Sequence, residues 1–233
     1  IQIRCKNNKK TQKVPIGSTL SDIFKQFQLN MKFGPISAKV NNKVEGLHYR
    51  VYHSKDVEYQ DMYTASGSRN YTRTLFFVCC KAVHDLYPQS QVIIDIPVSN
   101  GYYVNLQIGH AVTQSDVDGI RNRMQQIIDQ KIPIRRFEVP TDEAIAMFRE
   151  KGDEAKVKLL QSSGTLYTTY YQIDDYVDYY YGSLLTNTSQ LYLFGLERYY
   201  NSMLLRIPSL TQPDKLPKMT PQEKMFDIFQ EHH

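Results

Sequence analysis

The spacing of apolar residues in the first 62 positions predicts a small unit rich in β-strands. Residues 1–5 alternate apolar and polar side chains, as a half-buried strand does. Gly17-Ser18-Thr19 supplies a helix cap before apolar residues that recur at helical spacing. The predicted elements are strands at 1–5, 9–15, 37–40 and 57–59, a helix that begins near Leu20, and a turn at Asn41-Asn42. The order strand, strand, helix, strand, strand is that of a ubiquitin-like β-grasp.

The pattern from residue 63 to 207 predicts helices and strands in a mixed order. Ser99-Asn100-Gly101 is typical of a hairpin turn, and Thr113 and Thr141 are predicted helix caps. We expect helices at 69–87, 113–128, from 141 onward and at 153–160, and strands at 92–96, 102–106, 134–139, 166–171, 174–180, 191–197 and 203–207. Residues 208–221 contain four prolines and are predicted to be a linker, after which residues 224–229 begin another helical pattern.

Composition narrows the class of protein. The 233 residues are 41% hydrophobic with a formal charge of +4, which indicates one or two folded domains and is compatible with an anionic partner. No uninterrupted apolar run of about 18 residues exists, so no membrane span is expected. Cys5, Cys79 and Cys80 fit neither a disulfide framework nor a metal site, which favours a cytoplasmic location. Because the chain starts without Met and stops inside a helical pattern, we expect it to come from a longer polypeptide.

Two stretches of the first 62 residues resemble a known module. Val14-Pro15-Ile16-Gly17-Ser18-Thr19-Leu20, followed by Ala38-Lys39-Val40-Asn41-Asn42-Lys43-Val44, is similar to the TGS domain that opens threonyl-tRNA synthetases. Asn42 stands where that family has Gly, and Asn also tolerates left-handed backbone geometry. The resemblance implies a TGS-like β-grasp at residues 1–62.

Residues 63–207 resemble the editing domain of threonyl-tRNA synthetases, which is also the second additional domain of alanyl-tRNA synthetases. The matches are collinear and lie at residues 72–88, 99–103, 113–117, 124–128, 175–184 and 199–207. The resemblance therefore implies an α+β chain: a TGS domain at 1–62, an α/β editing-like domain at 63–207, and at 208–233 a Pro-rich linker with the start of a helix leading to a missing C-terminal domain.

The resemblance also locates a site whose ligands are lost. The family places His-x-x-x-His in the first half of this domain and Cys-x-x-x-His in the second, and the four matching positions here are Arg73, Phe77, Tyr180 and Leu184. A metal site of this kind needs nitrogen or sulfur donors, which these side chains do not supply at neutral pH. We therefore expect no bound metal, no catalytic residue and no hydrolysis of aminoacyl esters by the family route.

Two other pocket positions of the family are kept, as Lys156 and Asp178. One interpretation is structural, with Lys156 a solvated helix residue and Asp178 a strand-end or pairing residue. The other is a repurposed pocket in which Arg73, Lys156, Asp178 and Tyr180 bind an anion or nucleotide, since a guanidinium beside aromatic rings can hold a phosphate and a base together.

The combination of modules resembles the N-terminal half of bacterial P-loop uridine/nucleoside kinases. It implies that this chain is a non-catalytic region that senses a nucleotide or RNA ligand, joined in cis to a C-terminal kinase domain. ATP and Mg²⁺ are expected for that absent domain and no cofactor for this part. The alternative is an RNA-binding module, related to threonyl-tRNA synthetase, that holds the tRNA acceptor end without hydrolysing the aminoacyl ester. The oligomeric state stays open.

Overall fold

The chain combines α-helices with mainly antiparallel sheets, which is an α+β fold. A computed structural model describes residues 1–180 and 182–218. The helices are α1 (Leu20–Phe27), α2 (Ala65–Leu86), α3 (Gln114–Asp129), α4 (Thr141–Glu150) and α5 (Glu154–Ser163). The strands are β1 (Gln2–Cys5), β2 (Lys10–Lys13), β3 (Ser18–Thr19), β4 (Ser37–Val40), β5 (Lys43–Gly46), β6 (Arg50–Val51), β7 (Lys55–Gln60), β8 (Gln91–Val98), β9 (Gly101–Gln107), β10 (Arg135–Pro140), β11 (Tyr167–Ile173), β12 (Tyr176–Tyr179), β13 (Gly195–Tyr199) and β14 (Ser202–Arg206).

The fold consists of two compact units, each made of two separate stretches of chain. Unit 1 contains residues 1–61 and 132–187, and unit 2 contains residues 62–131 and the chain from residue 188 onward. The domains predicted at 1–62, 63–207 and 208–233 divide the chain by its sequence motifs, whereas the two units divide it by spatial compactness. Those boundaries therefore stay a prediction.

The first stretch of unit 1 builds a five-stranded sheet around α1. The strand order is β2-β1-β7-β4-β5, with β1 parallel to β7 and the other neighbours antiparallel. Thr19 caps α1 through a reciprocal pair of hydrogen bonds with Asp22, and Leu20, Ile23 and Phe27 are the buried face of the helix. The core between helix and sheet holds Ile3, Cys5, Val14, Leu20, Ile23, Phe27, Ala38, Val40, Leu47, Val51, Val57 and Tyr59.

The second stretch of unit 1 forms an antiparallel sheet in the order β10-β11-β12. Helices α4 and α5 pack together, and their buried residues Ala144, Phe148, Val157 and Leu160 contact the side chains of Val139, Tyr170, Val177 and Tyr179. Because strand residues alternate between faces, the directly paired Tyr171 and Asp178 lie on the opposite face of this sheet.

Unit 2 combines two long helices with an antiparallel sheet in the order β13-β14-β9-β8. α2 packs on α3, where the Lys81 ammonium group and the Arg123 guanidinium group both hold the Asp85 carboxylate, at 2.8 and 2.9 Å. The ring of Phe76 on α2 meets Tyr102 on β9 edge-to-face at 4.8 Å. Helix and sheet therefore share one aromatic and apolar layer.

Most of the predicted elements are confirmed, and four points differ. The strand predicted at 191–197 lies at Gly195–Tyr199 instead. α2 begins four residues earlier than expected, because Thr64 caps it. Strands β3, β5 and β6 were not predicted, since each is short and lacks apolar alternation. The prediction that Thr141 caps a helix is wrong. Pro140 occupies the cap position, and the Thr141 hydroxyl pairs with Thr168 at 2.9 Å.

The described part of the Pro-rich segment is attached to unit 2. The Tyr192 hydroxyl donates to the carbonyl of Pro213 at 2.6 Å, and the Arg206 guanidinium donates to the carbonyl of Pro217 at 2.5 Å. The helix predicted at 224–229 lies outside the described residues. No helix in the described stretches is long and apolar enough to cross a membrane.

Candidate functional site

Arg73 and Phe77 lie one turn apart on α2 in unit 2, so they share a helix face. The Phe77 side chain is fully buried, and Arg73 is half-buried. The Arg73 guanidinium donates to Oδ1 of Asn70 at 2.8 Å. The pair that stands where the family has His-x-x-x-His is therefore a packed phenyl ring and a cation that donates to a neighbouring amide.

Lys156 and Asp178 form an ion pair in unit 1, with 2.5 Å between Lys156 Nζ and Asp178 Oδ1. Asp153 caps α5 by accepting from the backbone N–H of Lys156 at 3.2 Å, which sets the start of the helix at this lysine. The Asp178 side chain is mostly buried, at 11% exposed, whereas that of Lys156 is 29% exposed.

The Asp178 carboxylate has two further donors. The backbone N–H of Tyr179 donates to Oδ1 at 2.7 Å, and the Tyr176 hydroxyl lies 3.5 Å from Oδ2. A buried carboxylate is stable only when charge and hydrogen bonds compensate its lost hydration, and these contacts supply both. The structural interpretation of Asp178 as a pairing residue is thus consistent with its contacts, and a binding role for the pair stays a prediction.

Tyr180 and Leu184 follow β12 in unit 1. Tyr180 is half-buried, whereas Leu184 is 1% exposed and occupies a core position. The nearby Tyr171 hydroxyl donates to the carbonyl of Gly182 at 3.4 Å. Of the four predicted binding residues, Lys156, Asp178 and Tyr180 belong to unit 1 and Arg73 belongs to unit 2.

The donor chemistry of the described residues does not match a metal site. Among residues 1–180 and 182–218, no group of three or more His, Cys, Asp or Glu side chains lies close enough to hold a metal ion. Burial raises the pKa of the Cys79 thiol to about 12, so this side chain stays protonated and packs as an apolar group.

The structure also draws attention to His48, which the sequence analysis did not single out. Its Nε2 atom is buried without a hydrogen-bond partner, while the imidazole makes a hydrogen bond with the backbone of Ile134. Burial, with a smaller contribution from the Arg136 charge, lowers the pKa of His48 and so favours the neutral ring. No sequence pattern could have found it, because Ile134 is far away along the chain.

Comparison with known proteins gives one consistent relationship. The chain is 31% identical over 209 residues to the threonine–tRNA ligase of Syntrophotalea carbinolica, a match that covers 85% of this chain. It is 27% identical over 228 residues to the threonine–tRNA ligase of Syntrophomonas wolfei and 24% identical over 174 residues to that of Clostridioides difficile. Over most of its length the chain is threonine–tRNA-ligase-like. No family model matches it.

The similarity concerns only part of each relative. The chain spans about a third of the length of the ligases that it matches, 33% for the Syntrophotalea protein and 35% for the Syntrophomonas protein. The threonine–tRNA-ligase-like region was predicted from residues 63–207 and their collinear motifs, and the homologues support that region. The predicted kinase fusion finds no support in these relatives and stays a prediction.

Proposed function

We propose that this chain is a tRNA-binding module that contacts the acceptor end of tRNA and does not hydrolyse aminoacyl esters. The observation that carries the proposal is the similarity to threonine–tRNA ligases over 85% of the chain, combined with side chains at positions 73, 77, 180 and 184 that cannot form the expected metal site. The names of those relatives indicate a tRNA partner. The lost metal-binding donors argue against ester hydrolysis.

The finer architecture is part of the same proposal. Residues 1–61 are a TGS-like β-grasp, since a β1–β2 hairpin precedes α1 and the later strand β7 pairs in parallel with β1. The remainder is an editing-like domain, and the positions that match the family's metal ligands, called the degenerate site, are assigned by sequence motifs.

Charge supports an anionic partner. Residues 1–61 contain eleven Lys and Arg against five Asp and Glu, a net charge of +6, while the whole chain is only +4. Residues 62–233 are therefore weakly acidic, with a net charge of −2. Cations neutralise phosphates and release counterions, so we expect the first segment to contribute most of the salt-dependent binding energy.

Arg73 in unit 2 and Lys156 in unit 1 are the cations that the resemblance assigns to phosphate binding. Arg73 already donates to Asn70 and Lys156 to Asp178. Each side chain therefore has to exchange contacts that it already makes when a phosphate binds, which favours a modest contribution to the affinity.

The test is a binding titration and a hydrolysis assay on the same preparation. We expect the full chain to bind a transcribed tRNA with an affinity that falls steeply with salt, and to leave the ester of a misacylated tRNA intact. Arg73→Ala and Lys156→Ala should each weaken binding by about fivefold. The exposed residues Arg149 and Lys158 provide the matched controls Arg149→Ala and Lys158→Ala.

Two results would contradict the proposal. One is ester hydrolysis above the rate of the RNA alone. The other is equal affinity for tRNA and for a tRNA that lacks its single-stranded 3′ end, because an acceptor-end contact requires that end. If the Arg73→Ala and Lys156→Ala variants bind like wild type, neither side chain contacts the tRNA, and the acceptor end has to bind elsewhere on the chain.

A further inference from the structure

The turn around Gly17 and the loop after β6 in unit 1 expose two large apolar side chains. Ile16 is 69% exposed and Tyr52 is 56% exposed, while the adjacent Val14 and Val51 are buried. Tyr52 Cε1 lies 3.5 Å from the position that a Cβ atom would take on Gly17, so the tyrosine ring lies against the turn. Two large apolar side chains are thus exposed to solvent beside Gly17.

The backbone under this surface is firmly held. Gly17 has φ +84° and donates its N–H to the carbonyl of Val51 at 2.9 Å, and β3 pairs with β6 directly after it. The Arg50 guanidinium donates to the carbonyl of Gly17 at 2.8 Å. Because the turn and the loop are bonded to each other, the exposed ring is positioned before any partner arrives.

The two chain segments that carry Ile16 and Tyr52 contain cations and no carboxylate. Residues 13–19 and 49–55 include Lys13, Arg50 and Lys55, together with His53, and no Asp or Glu. Lys13 is exposed at the end of β2, three residues before Ile16, and its register partner Gln2 on β1 donates its N–H to Ser54 Oγ at 3.0 Å. We call the surface formed by Lys13, Ile16, Arg50, Tyr52 and His53 the tyrosine platform.

We propose that the tyrosine platform binds unpaired nucleotides of RNA, with a base stacked on Tyr52 and Ile16 and the adjoining phosphates held by Lys13 and Arg50. Proteins that bind single strands combine an exposed aromatic ring with a positively charged track, and the platform has both. The net charge of +6 on residues 1–61 complements a polyanion. This inference rests on the proposed function in taking RNA as the partner, and it adds a contact surface outside the degenerate site.

A duplex fits the platform less well than a single strand, because stacking on the ring requires a base free of its own neighbours. A protein partner is the other class of occupant, and its signature would be a change in assembly rather than in RNA affinity. The experiment therefore compares single-stranded RNA, the same sequence annealed into a duplex, and tRNA.

The measurement is fluorescence anisotropy of labelled RNA titrated with the full chain. We expect Tyr52→Ala to weaken binding of an unstructured 12-nucleotide RNA by about fivefold or more, because base–aromatic stacking is lost. Tyr52→Phe keeps the ring and should bind within about twofold of wild type. Tyr167→Ala is the matched control, since Tyr167 is 62% exposed and lies on β11.

The electrostatic part of the platform is tested by salt. Lys13→Gln should reduce the slope of log affinity against log salt by about 0.7, the value for one phosphate of a single strand. Lys158→Gln, at an exposed lysine of α5, should leave the slope unchanged.

The outcomes separate this inference from the proposed function. If wild type binds tRNA and Tyr52→Ala binds the 12-nucleotide RNA equally well, the platform is wrong and the proposed function stands. If wild type binds the single strand through Tyr52 but ignores the tRNA acceptor end, the platform is supported and the proposed function is wrong. Binding to no RNA overturns both. A change in oligomeric state on Tyr52→Ala at unchanged RNA affinity would overturn the platform in favour of a protein contact.

Discussion

The Lys156–Asp178 ion pair determines what the retained pocket residues can do. Asp178 also accepts from the backbone of Tyr179, so its carboxylate is fixed in orientation. The cation of Lys156 is therefore compensated before any ligand arrives, and a phosphate would have to compete with a carboxylate for it. A pair of this kind favours weak, exchangeable anion contacts over a tight site, since a partly buried carboxylate is costly to leave unpaired.

Asp116 is a carboxylate in unit 2 that accepts several hydrogen bonds. It accepts from the backbone N–H and hydroxyl of Thr113 at the start of α3, and from the Tyr87 hydroxyl at 2.7 Å. The backbone hydrogen bond from Thr113, followed by the one from Tyr87, lowers the pKa of Asp116 to about 2. The folded chain therefore holds this carboxylate ionised more strongly than the unfolded chain does.

We predict that Asp116→Asn lowers the free energy of unfolding by about 1–2 kcal/mol near neutral pH, since it replaces charge-assisted hydrogen bonds with neutral ones. A lowered folded-state pKa gives stability that is present above the unfolded value of 3.8 and is lost as the pH falls towards about 2. Urea unfolding at several pH values should show the difference from wild type shrinking over that range. Tyr87→Phe should give a smaller loss with the same trend. A difference that is constant with pH would rule out the linkage.

Sequence alone could predict which residues matter at the degenerate site, but not their partners. Lys156 and Asp178 were identified by matching motifs, and both interpretations of them were left open. Their ion pair depends on how α5 meets the end of β12, which no local pattern specifies. The exposed Tyr52 is a similar case, because one tyrosine among eighteen becomes distinctive only when its exposure and its cationic neighbours are known.

At the scale of elements, Gly101 in the β8–β9 hairpin lets β9 approach β14 closely because it has no side chain. Ser99 and Asn100 adopt left-handed backbone conformations in the turn, with φ of +49° and +60°. The next residue, Gly101, lies against β14, where a Cβ atom would stand 2.7 Å from the carbonyl oxygen of Leu205. Glycine is required there by space rather than by turn geometry.

We predict that Gly101→Ala destabilises the protein by about 2 kcal/mol, because backbone atoms of β14 have to move. Gly119 is the matched control: it lies inside α3 with nothing within 4 Å of its Cβ position. Gly119→Ala should therefore stabilise by about 0.5–1 kcal/mol through helix propensity. Thermal unfolding of the three proteins checks both signs, and equal shifts for the two variants would contradict the steric explanation.

Local signals explain which elements could be predicted. The reciprocal caps at Thr19 and Thr113 and the turn at Ser99-Asn100 depend on neighbouring residues, and all three are confirmed. β5 and β6 are short and polar, and only pairing with distant strands makes them strands. Thr141 resembles a cap locally, but its hydroxyl finds a tertiary partner in Thr168.

At the scale of the whole molecule, unit 1 unites two stretches that the linear motifs assign to different modules. The backbone of Ile134 forms a hydrogen bond with His48, and Ser183 Cβ stands 3.3 Å from the Cβ position of Gly46. Residues 1–61 enclose a large apolar core around α1, whereas the core between α4, α5 and the β10–β12 sheet is smaller. The second stretch therefore depends more on the first for its stability than the first depends on the second.

We therefore predict that the two pieces obtained by dividing the chain after residue 61 behave differently. The isolated segment 1–61 should fold, since its sheet and α1 enclose a complete apolar core. The chain from residue 62 onward should keep protected amides in α2 and α3 but exchange faster across β10–β12, because the surface around Ile134 and Ser183 is uncovered. Hydrogen exchange on the full chain and both pieces tests this, with His48→Ala in the full chain as a milder perturbation at the same contact.

Unchanged protection of β10–β12 after removal of residues 1–61 would show that the two stretches are energetically independent, and that the linear modules are also the folding units.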